Sequence, residues 1–242
     1  MSTNKQEKII NMFDEIAPKY DKANRILSLG IDTTWRKEAC KRTINLSRSN
    51  DKMRILDVAC GTGDMILNWL NYKDRLDYII GIDPSIKMLN IAKTKLPKEI
   101  KLIQGEAKNL KIKSNSIDIL SIAYGLRNVV ELDLALDEFA RVLKSGGMLV
   151  ILEFTKKERE NLLDKIALFY TTKILPLLGG AISKNYSAYK YLPNSIKDFL
   201  TLEELVSKLS KLNFTLEFKK RYIGNLCTLL IVRKNEQQND RN

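Results

Sequence analysis

The densest chemistry in the chain is an acidic glycine turn, Asp57-Val58-Ala59-Cys60-Gly61-Thr62-Gly63-Asp64, with a further acid, Asp83, twenty residues beyond Gly63. Gly61 and Gly63 let a backbone turn tightly and approach a ligand that a Cβ would block. Asp83 is spaced to accept both hydroxyls of a ribose. Two cofactors use such a pairing. A dinucleotide needs a third glycine, in G-x-G-x-x-G, where the helix meets the pyrophosphate; here that position is Ile66. Asp57 and Asp64 also flank the turn with negative charge, which repels a pyrophosphate and suits the sulfonium and amino group of S-adenosylmethionine. The expected cofactor is therefore S-adenosylmethionine, with Asp57, Gly61, Gly63 and Asp83 as its site. A third contact is expected from Gln104-Gly105-Glu106-Ala107, where Glu106 is either a solvated loop acid or a ligand near the adenine edge.

Histidine is absent, which removes His-based triads, a His general base and His-ligated zinc. No metal site is expected. Enzymes that methylate a nucleobase amine or a glutamine amide commonly carry an Asn/Asp-Pro-Pro-aromatic run after the fourth strand. The corresponding residues here are Ile122-Ala123-Tyr124-Gly125, without proline, so a carbon or oxygen acceptor is favoured.

Short β-branched runs must position these residues. Strands are predicted at 54–59, 77–82, 101–103, 117–122 and 148–154, with helices at 64–72, 86–96 and 132–143 between them. Ser85 is placed to cap the second of these helices. The first fifty residues read as helices: Ile9, Met12, Phe13 and Ile16 recur at helical spacing, Pro18 is expected to end that segment, and 35–46 forms another helix. A mostly helical stretch at 157–182, an irregular tyrosine-bearing loop at 185–195, a helix at 202–212 and a hairpin of 214–221 with 226–233 complete the pattern. The predicted class is α/β: a Rossmann-like, seven-stranded methyltransferase sheet with N-terminal helices and a helical insertion before the last two strands. The chain is read as one domain, residues 1–242. It divides into a helical cover (1–50), a cofactor-binding core (51–155), a helical and tyrosine insertion serving as substrate lid (156–200), a final helix and hairpin (201–234) and a disordered tail (235–242).

The balance of 41 Lys+Arg against 29 Asp+Glu gives a net charge of +12 over 242 residues. Such a charge suits nucleic acid or an anionic membrane surface, and it also serves solubility. The cysteines, Cys40, Cys60 and Cys227, are odd in number and scattered, which fits a reducing compartment. The polar N-terminus is no signal peptide. The most apolar stretch, 161–182, is interrupted by Asp164, Lys165, Lys173 and Pro176, so no membrane span is expected. A cytoplasmic protein, at most peripheral to the inner face of the membrane, is the expectation. The sequence carries no signal of oligomeric state.

From about Phe13 to Val232 the chain resembles the ubiquinone/menaquinone biosynthesis C-methyltransferases. The likeness rests on Phe13-Asp14-Glu15-Ile16-Ala17-Pro18-Lys19-Tyr20-Asp21, on Leu27-Ser28-Leu29-Gly30-Ile31 with Trp35-Arg36, and above all on Tyr124-Gly125-Leu126-Arg127-Asn128-Val129. Leu152-Glu153-Phe154-Thr155 and Tyr189-Lys190-Tyr191-Leu192 also fit. The resemblance implies methyl transfer to a ring carbon of a lipophilic prenylated quinol, demethylmenaquinol first and a polyprenyl benzoquinol second. It places Thr62, Asp83, Glu106 and Ala107 on cofactor contacts. Ala123 stands where some relatives carry a serine, so that hydroxyl contact is missing.

A hydroquinone carbon becomes nucleophilic as its neighbouring hydroxyl loses a proton, so the site must stabilise a phenolate. Without histidine, Arg127 at the end of the fourth strand is the candidate, with Asn128 orienting the quinol oxygen; the alternative for Arg127 is a plain ion pair with a helix acid such as Glu131. Tyr20, Tyr189 and Tyr191 are candidates for a substrate lid, or else half-buried core tyrosines. The aliphatic residues of 162–182 read as core, as a prenyl groove, or as a surface that dips into the bilayer edge. An RNA methyltransferase would want aromatic-interleaved basic stripes or an added RNA module, and neither is visible, so no nucleic-acid partner is expected. A non-catalytic scaffold that merely binds the cofactor is the remaining alternative, and the intact acids and glycines of the turn argue against it.

Overall fold

The computed structural model describes residues 2–156, 186–222 and 227–236. Two helices, α1 (Ser2–Leu27) and α2 (Ile31–Leu46), precede the sheet. The chain then alternates through β1 (Met53–Val58), α3 (Asp64–Trp69), β2 (Leu76–Asp83), α4 (Ile86–Lys95) and β3 (Lys101–Gln104). It continues with β4 (Ile117–Ala123), α5 (Leu132–Val142) and β5 (Leu143–Phe154), then α6 (Tyr186–Asp198), α7 (Leu202–Lys211), β6 (Phe214–Tyr222) and β7 (Cys227–Lys234). The seven strands form one sheet in the order β3-β2-β1-β4-β5-β7-β6. β7 runs antiparallel to both neighbours, while the first five strands are parallel. Strand order reverses between β1 and β4, so their carboxyl ends flank the crevice where such sheets bind ligands.

β1, β4, β5 and β7 are buried along nearly their whole length, as continuous apolar strands covered on both faces should be. One face packs against Trp35, Met65, Ile66 and Trp69. The other packs against Leu136, Phe139, Leu205 and Leu209. Ser85 accepts from the Met88 N–H at 3.1 Å and caps α4 as expected. Thr201 and Glu204 form a reciprocal capping box that starts α7.

Four local expectations are corrected. Pro18 does not end the first helix but lies inside α1; the lost N–H bond is outweighed by packing of Ile16, Ala17, Ala23 and Leu27 against Met88 of α4. The tyrosine segment is not an irregular loop: most of it is α6, again with an internal proline, Pro193. β5 begins at Leu143 rather than 148, its register shifting between Ile117 and Ile119 of β4. β4 ends at Ala123, so Arg127 sits beyond it on a short 3-10 turn, Leu126–Asn128. The expected helical insertion at 157–182, the hairpin turn at 224–225 and most of the expected disordered tail lie outside the described residues.

Candidate active site

A cavity opens at the carboxyl ends of β1, β2 and β4, where open α/β sheets bind their ligands. Gly61, Asp83, Glu106 and Ala107 line it, as do Ala123, Tyr124, Gly125 and Asn128. The inner face of α1 covers it with Ile9, Ile10, Phe13 and Tyr20. Of the residues expected to hold the cofactor, Asp57, Thr62 and Gly63 stand behind this wall rather than on it.

Asp83 ends β2 and is buried at the cavity edge. Its Oδ2 accepts the Gly61 N–H at 2.8 Å and its Oδ1 accepts the Ser85 N–H at 2.8 Å, so each oxygen keeps a lone pair for a ligand hydroxyl. Burial pushes its pKa up to about 6 despite those two donors, and Asp14 nearby adds to the rise. Asp57 lies deeper. Its Oδ1 accepts from the Ser121 hydroxyl at 2.6 Å, Ser121 accepts in turn from the Trp69 indole at 3.0 Å, and Oδ2 has no partner. Burial raises Asp57 to about 7. Gly61 is left-handed, with φ +54, and a Cβ built on it meets no atom within 4 Å; its open side is a cradle for a ligand.

Two buried carboxylates that join no ion pair among the described residues, one orphaned oxygen and an open glycine cradle fit a cofactor with ribose hydroxyls and positive charge. They do not fit a pyrophosphate. Asp83 would hold the ribose and Asp57 the cationic end through the turn above it. Glu106 is partly exposed and lies 3.6 Å from Lys108 at the rim.

Asp64 contributes no free negative charge, contrary to expectation. Arg25 pairs with it, and Lys95 reaches it at 2.7 Å; these partners hold its carboxyl below the usual range against the effect of burial. Lys95 also binds Asp21 at 2.6 Å, while the Thr62 hydroxyl donates to Asp21 at 2.6 Å and accepts from Lys95 at 3.2 Å. Arg25 and Arg36 both pair with Asp32. Ser85 bonds Asp14, and the Gln6 side chain accepts the Val130 N–H at 3.1 Å. α1 is thus fastened over the cavity at both ends. No local sequence pattern announces these contacts, since Asp21 and Lys95 are brought together only by the fold.

At the far end of the cavity, Arg127 does not pair with Glu131, which binds Lys108 instead. Its Nη1 donates to Glu153 Oε1 at 2.6 Å and to the Tyr124 carbonyl at 2.8 Å, and its Nε donates to Ser195 Oγ at 3.3 Å. The two charged side chains are 8% and 1% exposed. Glu153 also accepts the backbone N–H groups of Arg127 at 3.1 Å and Phe154 at 2.7 Å. Glu153 lies outside the expected site residues, yet the sequence carries a signal for it: it is the lone charge in the apolar run 148–154, and such a charge is buried only when paired. The Tyr191 hydroxyl donates to Asn128 Oδ1 at 3.1 Å, and Asn128 Nδ2 donates to the Tyr124 carbonyl at 3.2 Å. Tyr20 faces the same end; burial raises its pKa, while the charges of Arg36 and Arg127 pull the other way. The side chain of Tyr189 lies outside the described residues.

Known proteins share both the sequence and this architecture. The ubiquinone/menaquinone biosynthesis C-methyltransferase UbiE of Campylobacter jejuni is 51% identical over 234 residues, spanning 95% of this chain and 99% of the relative. The demethylmenaquinone methyltransferase of Bacteroides fragilis is 37% identical over 235 residues, spanning 95% and 94%. Among solved structures, a methyltransferase of Thermotoga maritima described as a possible histamine N-methyltransferase superposes with a TM-score of 0.63 at 20% identity, covering 94% of this chain and 100% of that one. The CurJ carbon methyltransferase gives 0.63 at 16% identity, covering 91% and 59%. These two distant likenesses concern the fold, the class I sheet of S-adenosylmethionine-dependent methyltransferases. The model of the ubiE/COQ5 methyltransferase family matches residues 1–231, and with the sheet order, the acidic cradle and the Arg127–Asn128 turn in place, the chain belongs to that family.

Proposed function

We propose that the protein transfers a methyl group from S-adenosylmethionine to a ring carbon of a prenylated quinol, demethylmenaquinol first and a polyprenyl benzoquinol second, in respiratory quinone biosynthesis. Membership of the family, with relatives named for that reaction, supports the reaction. The single structural observation that carries it is the buried Arg127–Glu153 pair behind the tyrosine-lined end of the cavity.

Bound in the Asp83 cradle, S-adenosylmethionine supplies an electrophilic methyl group. The protein's part is to make the acceptor carbon electron-rich beside it. Arg127 keeps its charge because Glu153 and Tyr124 hold the guanidinium against the cost of burial. That fixed charge favours ionisation of a quinol hydroxyl at the Asn128 end of the cavity, with the proton leaving to water; once the ring carbon is methylated, its own hydrogen leaves as a proton, which restores the aromatic ring and the hydroxyl. Asn128, held by Tyr191 and the Tyr124 carbonyl, orients the quinol oxygen. Tyr20, kept neutral by burial, donates a hydrogen bond toward the developing oxyanion. Phe13, Ile9 and Ile10 exclude water and offer apolar wall to ring and tail. No described helix is long and apolar enough to cross a membrane. In this reading the lipophilic substrate is met at the inner surface of the bilayer, from the cytoplasmic side.

The test is incubation of the purified protein with S-adenosylmethionine carrying a deuterated methyl group and a reduced demethylmenaquinone, followed by mass spectrometry of the quinone. The expected product carries the label on the ring carbon. Label on oxygen, or methylation of an RNA pool in preference to the quinol, overturns the proposal.

A further inference from the structure

At the elbow between α1 and α2 the protein holds three large aliphatic side chains in solvent: Ile26, Leu29 and Ile31 are 44%, 83% and 37% exposed. The other exposed large hydrophobics among the described residues, Leu67, Tyr78, Ile86, Leu134 and Leu216, stand singly along the chain, as on any water-facing surface.

Leu29 is also left-handed, with φ 52. That conformation is uncommon for a leucine and well tolerated by asparagine. The elbow is fastened around it. Gly30 N–H donates to the Arg25 carbonyl at 2.9 Å and Ile31 N–H to the Ser28 carbonyl at 3.1 Å. The Ser28 hydroxyl donates to Asp32 at 2.7 Å, and the Thr33 hydroxyl to the Gly30 carbonyl at 2.6 Å. A strained backbone thus presents an oily side chain to water, where it gains nothing in the free protein. Such an outlier points to a contact surface.

Charge identifies the partner. Lys19 and Lys22 precede Ile26 by seven and four residues on one face of α1, and Lys37 and Lys41 continue along the exposed side of α2. All four are exposed, and none joins an ion pair among the described residues. The nearby acids are taken by other cations: Asp32 by Arg25 and Arg36, Asp21 of α1 and Asp64 of α3 by Lys95, and Glu38 of α2 by Lys220. An apolar tip with a ring of unpaired lysines set back from it matches an anionic bilayer, whose hydrocarbon edge lies just beneath its phosphates.

We propose that the α1–α2 elbow is the membrane-docking surface, with Ile26, Leu29 and Ile31 entering the bilayer edge and Lys19, Lys22, Lys37 and Lys41 meeting the lipid phosphates. The purpose of the docking rests on the quinol reading: α1 forms the cavity wall with its other face, so docking sets the site against the store of a lipophilic substrate.

The test is co-sedimentation of the full chain with vesicles of phosphatidylglycerol and phosphatidylcholine, and with phosphatidylcholine vesicles alone. The wild type is expected to favour the anionic vesicles at least tenfold. Leu29→Asn, which suits the left-handed backbone, is expected to lose at least tenfold in vesicle affinity with an unchanged or higher melting temperature. Lys19→Gln with Lys22→Gln should lower affinity further and flatten its salt dependence. With a detergent-solubilised short-chain quinol, Leu29→Asn should turn over like the wild type. Vesicle binding lost in the variant while neither protein methylates any quinol keeps the surface and refutes only the substrate. Vesicle binding unchanged in Leu29→Asn, no preference for anionic lipid, or a dimer seen by light scattering that the variant dissociates, overturns the docking surface.

Discussion

Replacing Asp57 by asparagine should stabilise the free protein at neutral and alkaline pH while weakening its hold on the cofactor. Asp57 is buried, its Oδ2 is unpartnered, and its pKa rises from 3.8 to about 7. A carboxyl whose pKa is raised on folding binds more protons folded than unfolded between those two values, so stability falls as pH climbs through that window. The loss is about 1.4 kcal/mol per pH unit, reaching about 4 kcal/mol once the window is crossed. Asparagine keeps the Ser121 bond and carries no charge, but leaves an unpaired amide costing about 1–3 kcal/mol at every pH. Asp57→Asn should therefore be the less stable protein near pH 5 and the more stable one near pH 8. Asp83, raised to about 6, adds a similar slope to both proteins and drops out of the comparison to first order. The depressed carboxyls of Asp32 and Asp64 act in the opposite sense, losing their contribution as pH falls below about 4, outside the range compared. Urea unfolding at half-unit steps from pH 5 to 8.5 measures the difference. Parallel curves for the two proteins, or a wild type that gains stability between pH 5 and 7, would refute the reasoning.

Glu153→Gln should cut turnover at least tenfold while S-adenosylmethionine affinity stays within twofold, because Arg127 loses its buried counter-charge; equal loss of both, by steady-state kinetics and calorimetry, would make Glu153 merely structural. Arg127→Ala should cut turnover about a hundredfold with cofactor binding kept, measured in the same assays. Gly63→Ala should cost at least about 2 kcal/mol, since φ is +87 and the new Cβ meets Leu96 Cδ1 at 2.7 Å; an unchanged melting temperature contradicts this. Lys95→Met should remove the tie between Asp21 of α1 and Asp64 of α3 and speed release of S-adenosylhomocysteine in stopped-flow measurements, whereas an unchanged rate would mean that α1 does not gate the cavity.

Much of this architecture is legible along the chain because the strands are β-branched runs buried on both faces, and burial of that kind leaves a continuous apolar signature. Asp83 could be found since its chemistry depends on spacing from a local glycine turn. What stayed hidden depends on packing between distant segments. Pro18 and Pro193 look like helix breakers, yet the helices run through them because flanking apolar residues find partners elsewhere in the fold. Asp64 looks like a free acid beside the turn, and only the approach of Arg25 and Lys95 neutralises it. Arg127 stands out by its motif, but its partner, Glu153, lies on β5, far along the chain, whereas the sequence offers the nearer Glu131 as the alternative ion pair.

The most direct measurement is calorimetric titration of S-adenosylmethionine into the purified protein and into Asp83→Ala. One cofactor per chain is expected to bind the wild type, with at least a tenfold loss of affinity in the variant and no change in its circular dichroism. If the wild type takes up no cofactor, or if the variant binds it equally well, the assignment of the acidic cradle at the end of β2 is contradicted.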